Sequence, residues 1–251
     1  MKDLKVSPDK VLLLETALGG LSLGLWQRGQ GLVWQWQPEG QTDSAEPAPR
    51  QASTVLWEAL DQCAEVTGTP LVAIDGMMVV TGPGSFTGIR TGLVVARTWA
   101  LAREQLGQPY TLYPMTTFEL AAHHAISPSR VWVVLNAFRR QVSVACYDTT
   151  PEGLTLSLAP QVLSVNALVE RLQLESTADR PAILWVEPSL KPQLETALAD
   201  GGLAAYQLQW LAPPQWDSVA TMGRALENSK CIPEVRWNVV LGNYLQQPHI
   251  T

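Results

Sequence analysis

The stretch Val79-Val80-Thr81-Gly82-Pro83-Gly84-Ser85-Phe86-Thr87-Gly88-Ile89-Arg90-Thr91-Gly92 decides how the chain is read. An apolar run from Met77 to Val80 enters a turn with glycines at 82, 84 and 88, and the turn opens onto a helical pattern that ends near Leu106. That order is strand, loop, helix. Glycine tolerates positive φ and close backbone approach, so such a loop can aim successive N–H groups at an anion or at another backbone where a helix begins. Two phosphate loops are excluded by counting. The dinucleotide fingerprint would need its third glycine at Thr87, and Walker A lacks its closing Gly-Lys-Ser/Thr. By itself the turn reads equally as a structural helix entry and as a binding loop.

Upstream, Val11-Leu12-Leu13-Leu14, Leu21 to Trp26 and Leu32 to Trp36 are strands joined by Gly turns, an antiparallel meander. Pro38 to Arg50 is an exposed loop by composition. Ser53 is placed to cap a helix whose Val55, Leu56, Ala59, Leu60, Cys63 and Ala64 follow i, i+3, i+4 spacing up to Gly68. Downstream, 110–113 is a strand and 116–125 a helix. After Ser127-Pro128-Ser129 the order begins again, with strands at 131–135, 141–147 and within 154–163, a helix at 165–174, a strand at 182–186 and a helix at 190–199. Three strands, helix, strand, helix, strand therefore occurs twice, with no residue identity between the halves. The expectation is an α/β protein of two domains, 1–114 and 115–251, each a mixed sheet with flanking helices. A closing helix over Asp217 to Glu227 should dock back on one of them.

Composition narrows the function. A chain of 251 residues with 46% hydrophobic and 16% charged residues suits a soluble globular protein. The net charge of −6 argues against this chain alone gripping a nucleic-acid backbone. Cys63, Cys146 and Cys231 are too scattered for a disulfide framework and are expected reduced and buried. No leader pattern and no membrane-length apolar run is present, so a cytoplasmic location is expected, with no membrane contact.

Gly82-Pro83-Gly84-Ser85-Phe86-Thr87-Gly88-Ile89-Arg90-Thr91-Gly92 closely resembles the signature of the TsaB (YeaZ) family, the bacterial accessory subunit of tRNA threonylcarbamoyladenosine (t6A) synthesis. The duplicated topology resembles the actin, hexokinase and chaperone (ASKHA) superfamily to which that family belongs. The resemblance implies two actin-like domains, the second reduced. It also implies a heterodimer with the catalytic TsaD protein, work alongside the ATPase TsaE, contact with tRNA only through the complex, and homodimers when the partner is absent. No tightly bound cofactor is implied; ATP or ADP with magnesium at the partner interface stays open.

Active members of that superfamily place an aspartate after the first strand of each domain to orient a metal and the attacking group. Here those positions read Glu15 and Asn136. The extra methylene of Glu15 displaces its carboxylate, and Asn136 has no charge, so no catalytic and no metal-binding residue is assigned. The family's Asp-Ala-Arg string appears as Asn136-Ala137-Phe138-Arg139, its Arg-x-His-Ser/Thr string as Arg50-Gln51-Ala52-Ser53, and its Tyr-Leu-Arg tail as Tyr244-Leu245-Gln246. TsaD uses a histidine pair for its metal, whereas His123 and His124 are adjacent and point about 100° apart on a helix. Ser85 lacks a Gly-x-Ser-x-Gly elbow and a histidine to activate it, which leaves proteolysis or esterolysis without a nucleophile–base pair.

Candidate loop and nucleotide-binding residues are Glu15, Thr16, Gly82, Pro83, Gly84, Ser85, Phe86, Thr87 and Gly88. Candidate partner-binding residues are Leu56, Leu60, Arg90, Leu93, Val94, Arg97 and Trp99, because apolar side chains cover nearly the full circumference of the 88–106 helix. A partner subunit and a neighbouring helix of the same domain are equal alternatives for covering it. Trp57 and Trp99 lie on those two helices, and about two thirds of the ten tryptophans are expected in the core. The preferred reading is a non-catalytic partner of TsaD; the alternative is a small-molecule kinase or ATP hydrolase of the same superfamily.

Overall fold

The structure, a computed structural model, describes residues 8–18, 20–36, 52–125, 129–137, 141–150, 153–175, 182–201, 208–211 and 218–227. Strand β1 (Lys10–Glu15) is apolar from Val11 to Leu14, and all four of those side chains are fully buried. A run of that kind needs cover on both faces, which only a central strand receives. Strands β2 (Ser22–Gln27) and β3 (Gly31–Gln35) fold back beside it antiparallel, with Leu14 opposite Leu23. Helix α1 (Ala52–Thr67) buries Val55, Leu56, Ala59, Leu60 and Cys63 and ends at Gly68, whose φ of +63° stops it. The helix starts at Ala52, so Ser53 is an exposed first-turn residue and not the expected cap. Strand β4 (Gly76–Val80), helix α2 (Phe86–Gln105) and strand β5 (Thr111–Met115) complete a five-stranded sheet in the order β3-β2-β1-β4-β5, with β1, β4 and β5 parallel.

The chain enters the second unit within helix α3 (Thr117–Ala122) and repeats the scheme with β6 (Ser129–Asn136), β7 (Gln141–Thr150), β8 (Gly153–Ser164), α4 (Val165–Glu175), β9 (Ala182–Val186), α5 (Lys191–Asp200) and β10 (Leu208–Leu211). Its order, β8-β7-β6-β9-β10, matches the first sheet strand for strand. The last strand had no residues assigned to it from the sequence. Alternation along β6 feeds two cores. Trp132 and Val134 pack with Leu168 and Leu172 of α4 and Leu194 of α5. Val131 and Val133 pack on the opposite face with Phe118 and Ala121 of α3 and Trp185 of β9. Expected to be reduced, this unit is the smaller of the two, although it carries as many strands as the first.

Helix α6 (Ser218–Glu227) follows β10 in sequence but packs on β1, β2 and β3 of the first sheet. A Cβ on Gly24 would stand 2.2 Å from Val219 Cγ1, and Gly223 sits beside Leu13 and Trp26. The first unit therefore runs to Thr117 and regains the chain at α6, while the second starts at Phe118. This corrects the expectation of a continuous 115–251 domain: an uncovered sheet face recruits the amphipathic helix wherever it lies in the sequence.

Cys63 and Cys146 are buried and free, with burial pushing their thiols up to about 11 and about 12. Cys231 lies outside the described residues. Trp132 and Trp185 are fully buried, Trp26, Trp34, Trp36 and Trp99 are half-buried, and Trp57 is exposed. The core share expected for tryptophan is thus not met among the described side chains.

Candidate functional site

Strands β1 and β4 lie side by side with Leu14 opposite Val79, so the segments leaving their carboxyl ends, 15–18 and 81–85, meet where the strand order reverses. Glu15 is buried there. Its Oε1 accepts the N–H groups of Ala17 and Leu18, the latter at 2.9 Å, and this folds 16–18 into a tight turn. Burial pushes the Glu15 carboxyl up to about 7, against the two backbone bonds that pull it down.

The turn grips the glycine loop. Thr16 Oγ1 donates to the Gly88 carbonyl at 2.7 Å, and the Ser85 N–H donates to the Ala17 carbonyl at 2.7 Å. A Cβ on Gly84 would stand 2.2 Å from the Ala17 carbonyl oxygen, one on Gly88 1.8 Å from the Thr16 carbonyl oxygen, and one on Gly92 2.6 Å from Thr16 Oγ1. Spacing by four places these glycines on one face of the helix entry. Gly82 at φ +98° and Gly84 at +156° also use backbone conformations that side chains resist. Pro83 is half-buried after a cis peptide bond, and the Gly82 carbonyl accepts the Thr117 N–H at 2.8 Å. Ser85 caps α2, its Oγ accepting the Gly88 N–H at 3.2 Å, and Phe86 and Thr87 are exposed.

A phosphate on such a loop needs N–H donors turned outward and an acid to hold its metal. Here the Ser85 and Gly88 N–H groups are used within the chain, the Ala17 carbonyl faces Gly84, and Glu15 spends Oε1 on its own turn. These particular donors and this carboxyl oxygen are engaged within the chain. Among the described residues no three His, Cys, Asp or Glu side chains gather into a metal-binding group.

At the corresponding point of the second unit, Asn136 ends β6 exposed, and its N–H donates to Glu187 Oε2 at 2.9 Å. The Ser189 hydroxyl donates to Oε1 at 2.8 Å. Sequence reasoning missed Glu187. Its signal is its position directly after the apolar run of β9, the place that Thr81 holds after β4. Phe138, Arg139, Arg50, Gln51 and the 244–249 tail lie outside the described residues.

The candidate docking residues divide sharply. Leu56, Leu60 and Leu93 are buried inside the first unit, at 3%, 0% and 7% exposure, and are withdrawn as contact residues. They belong to the stripe that α1 and α2 turn inward, which on α2 also holds Ile89, Gly92, Ala96 and Ala100. Val94 is 57% exposed and Trp57 68% exposed; Arg90 is exposed, and Arg97 and Trp99 are half-buried. Helix α1 packs beside α2, so a neighbouring helix of the same unit supplies part of its cover. Phe86, Val66 and Leu101 add exposed apolar surface to the two helices.

A model of the family described as "TsaD: tRNA N6-adenosine threonylcarbamoyltransferase" matches residues 45–221, more than half of the chain. The "tRNA threonylcarbamoyladenosine biosynthesis protein TsaB" of Escherichia coli (strain K12) is 30% identical over 169 residues. The chain belongs to the TsaB (YeaZ) family. That match covers 65% of this chain and 66% of the Escherichia coli protein, just under two thirds of its length. Among solved structures, YeaZ from Pseudomonas aeruginosa aligns at a TM-score of 0.64 and 18% identity over 94% of this chain and all of that one. Another solved structure, described as an uncharacterized protein with similarity to peptidase YEAZ from Pseudomonas aeruginosa, aligns at 0.65 and 20% identity over 95% of this chain and all of that one. At these identities the likeness concerns the fold: two mixed sheets with flanking helices. In this member of the TsaB family the signature glycines are accounted for by contact with the 16–18 turn, and no helix of the described residues is long and apolar enough to cross a membrane.

Proposed function

We propose that the chain is a non-catalytic partner subunit for threonylcarbamoylation of tRNA adenosine 37, acting in the cytoplasm with a TsaD-type catalytic subunit and a TsaE-type ATPase. The observation that carries this reading is the closure of the glycine loop on the chain's own turn through the Thr16–Gly88 and Ser85–Ala17 bonds. Family membership supports the pathway. The exposed side chains of α1 and α2, Trp57 and Val94 foremost, supply the docking face, with Arg90 and Arg97 as its charged members. Its contribution is coupling free energy: binding this face favours one arrangement of the catalytic subunit, and that subunit transfers threonylcarbamoyl to tRNA bound by the complex. A nucleotide at the interface would take its metal ligands from the partner.

The test is co-expression with the TsaD protein of the same organism. Trp57→Glu and Val94→Glu each leave the thermal melt of the isolated chain unchanged and abolish co-elution. Undiminished co-elution of both variants removes α1 and α2 from the interface. Turnover of ATP by the purified chain alone overturns the non-catalytic reading.

A further inference from the structure

Glu15 is a buried ionisable group, and among the described residues its neighbours carry no compensating charge. Across β1 it faces Ser22 of β2, and β2 and β4 carry no ionisable side chain. Helix α2 carries Arg90, Arg97, Arg103 and Glu104, and α6 carries Arg224 and Glu227. Arg90 is exposed, Arg103 donates to the Val72 carbonyl, Arg224 donates to Thr221 Oγ1, and Glu227 accepts from the Trp26 indole. None of these groups contributes to the proton affinity of Glu15, which burial raises and the Ala17 and Leu18 N–H groups lower.

We propose that Glu15 is a proton-responsive latch on the seat of α2, its buried carboxyl group holding the 16–18 turn most firmly when protonated, the turn against which Gly84, Gly88 and Gly92 close. In the ionised state the two backbone bonds are charge-assisted, but an unpaired charge sits in the interior. In the protonated state the charge is gone and the bonds weaken. Burial is the larger influence, raising the carboxyl from 4.5 to about 7, so loss of the proton works against the closed turn. The sign follows: the stabilisation is complete below pH 4.5 and is lost as pH rises through about 7. Above neutrality α2 is held less firmly, and a partner that docks on it must supply the missing order. That consequence rests on the function proposed above; the latch is tested on the chain alone, so either can fail without the other.

The experiment follows the amide resonances of Gly84, Gly88 and Gly92 in the full chain labelled with 15N-glycine, from about pH 5.5 to about pH 8.5, in wild type and Glu15→Gln. The three resonances share a midpoint near 7 in wild type and lose it in the variant, and the urea midpoint of wild type falls relative to the variant over the same range. Flat wild-type resonances, or an unchanged titration in Glu15→Gln, overturn the proposal. If Glu15→Gln does not fold, the wild-type titration decides alone.

Discussion

Replacing Gly88 with alanine adds one methyl group at the point where α2 meets the Thr16 carbonyl. An ideal Cβ there would lie 1.8 Å from the Thr16 oxygen, 2.9 Å from its carbonyl carbon and 3.3 Å from Ser85 Cβ. The obstacle is backbone, which cannot swing aside as a side chain can, so the helix entry and the turn must separate. Overpacking of this kind costs about 1–3 kcal/mol. Separation also strains the Thr16 Oγ1–Gly88 and Ser85–Ala17 hydrogen bonds, each contributing about 1 kcal/mol. Against this, alanine gains about 1 kcal/mol over glycine inside a helix. The balance is a loss of about 2–4 kcal/mol, a large share of the ~5–15 kcal/mol that holds an ordinary domain together. Urea unfolding followed by circular dichroism measures it as a lowered midpoint. Gly20→Ala is the control, because among the described residues no atom beyond its chain neighbours lies within 4 Å of a Cβ at that position, and it shifts the stability by less than about 0.5 kcal/mol. Equal stability of Gly88→Ala and wild type would falsify the account of the signature glycines as contact residues.

Other consequences concern the second unit and the thiols. Arg130 makes a bidentate pair with Asp148 at 2.8 and 3.1 Å and reaches Glu175, so Arg130→Ala lowers stability by about 1 kcal/mol, less in high salt because the groups are partly exposed. No change in its denaturation midpoint at low salt contradicts that reading. A Cβ on Gly201 would stand 2.5 Å from Val169 Cγ1, and Gly201→Ala should cost about 1 kcal/mol by chemical denaturation, the neighbour being a side chain that can yield. Cys63 and Cys146 should resist a thiol reagent at about pH 8 in the native state and react fully in denaturant, scored peptide by peptide by mass spectrometry; native labelling at either residue contradicts their burial.

Much of the fold was legible because its central strands are buried on both faces. Val11–Leu14 and Val131–Leu135 announce central strands as uninterrupted apolar runs, and the meander beside each follows from turn residues. The resemblance carried by the 82–92 string led to the correct family. What covers the two apolar helices was less legible. Leu56, Leu60 and Leu93 looked like contact residues because periodicity identifies an apolar stripe without saying what covers it, and each helix spent that stripe on its own sheet. Trp57 and Val94 lie outside the stripe and are exposed. Glu187 escaped notice because one acid at a strand end has no sequence signature until the strand beside it is known.

Local sequence by itself determined the element types and their twofold recurrence, since apolar period, glycine turns and caps act over a few residues. It also determined that the acidic pair expected of a phosphate-handling relative is changed at Glu15 and Asn136. Only tertiary structure decided what the glycines are for. Gly84, Gly88 and Gly92 are separated from Thr16 and Ala17 by some seventy residues, and nothing in either segment alone says that one will press on the other. Parallel pairing of β1 with β4 brings the two together, as the uncovered face of the same sheet draws in α6 from the far end of the chain. Both outcomes depend on long-range burial, which a local pattern can permit but cannot specify.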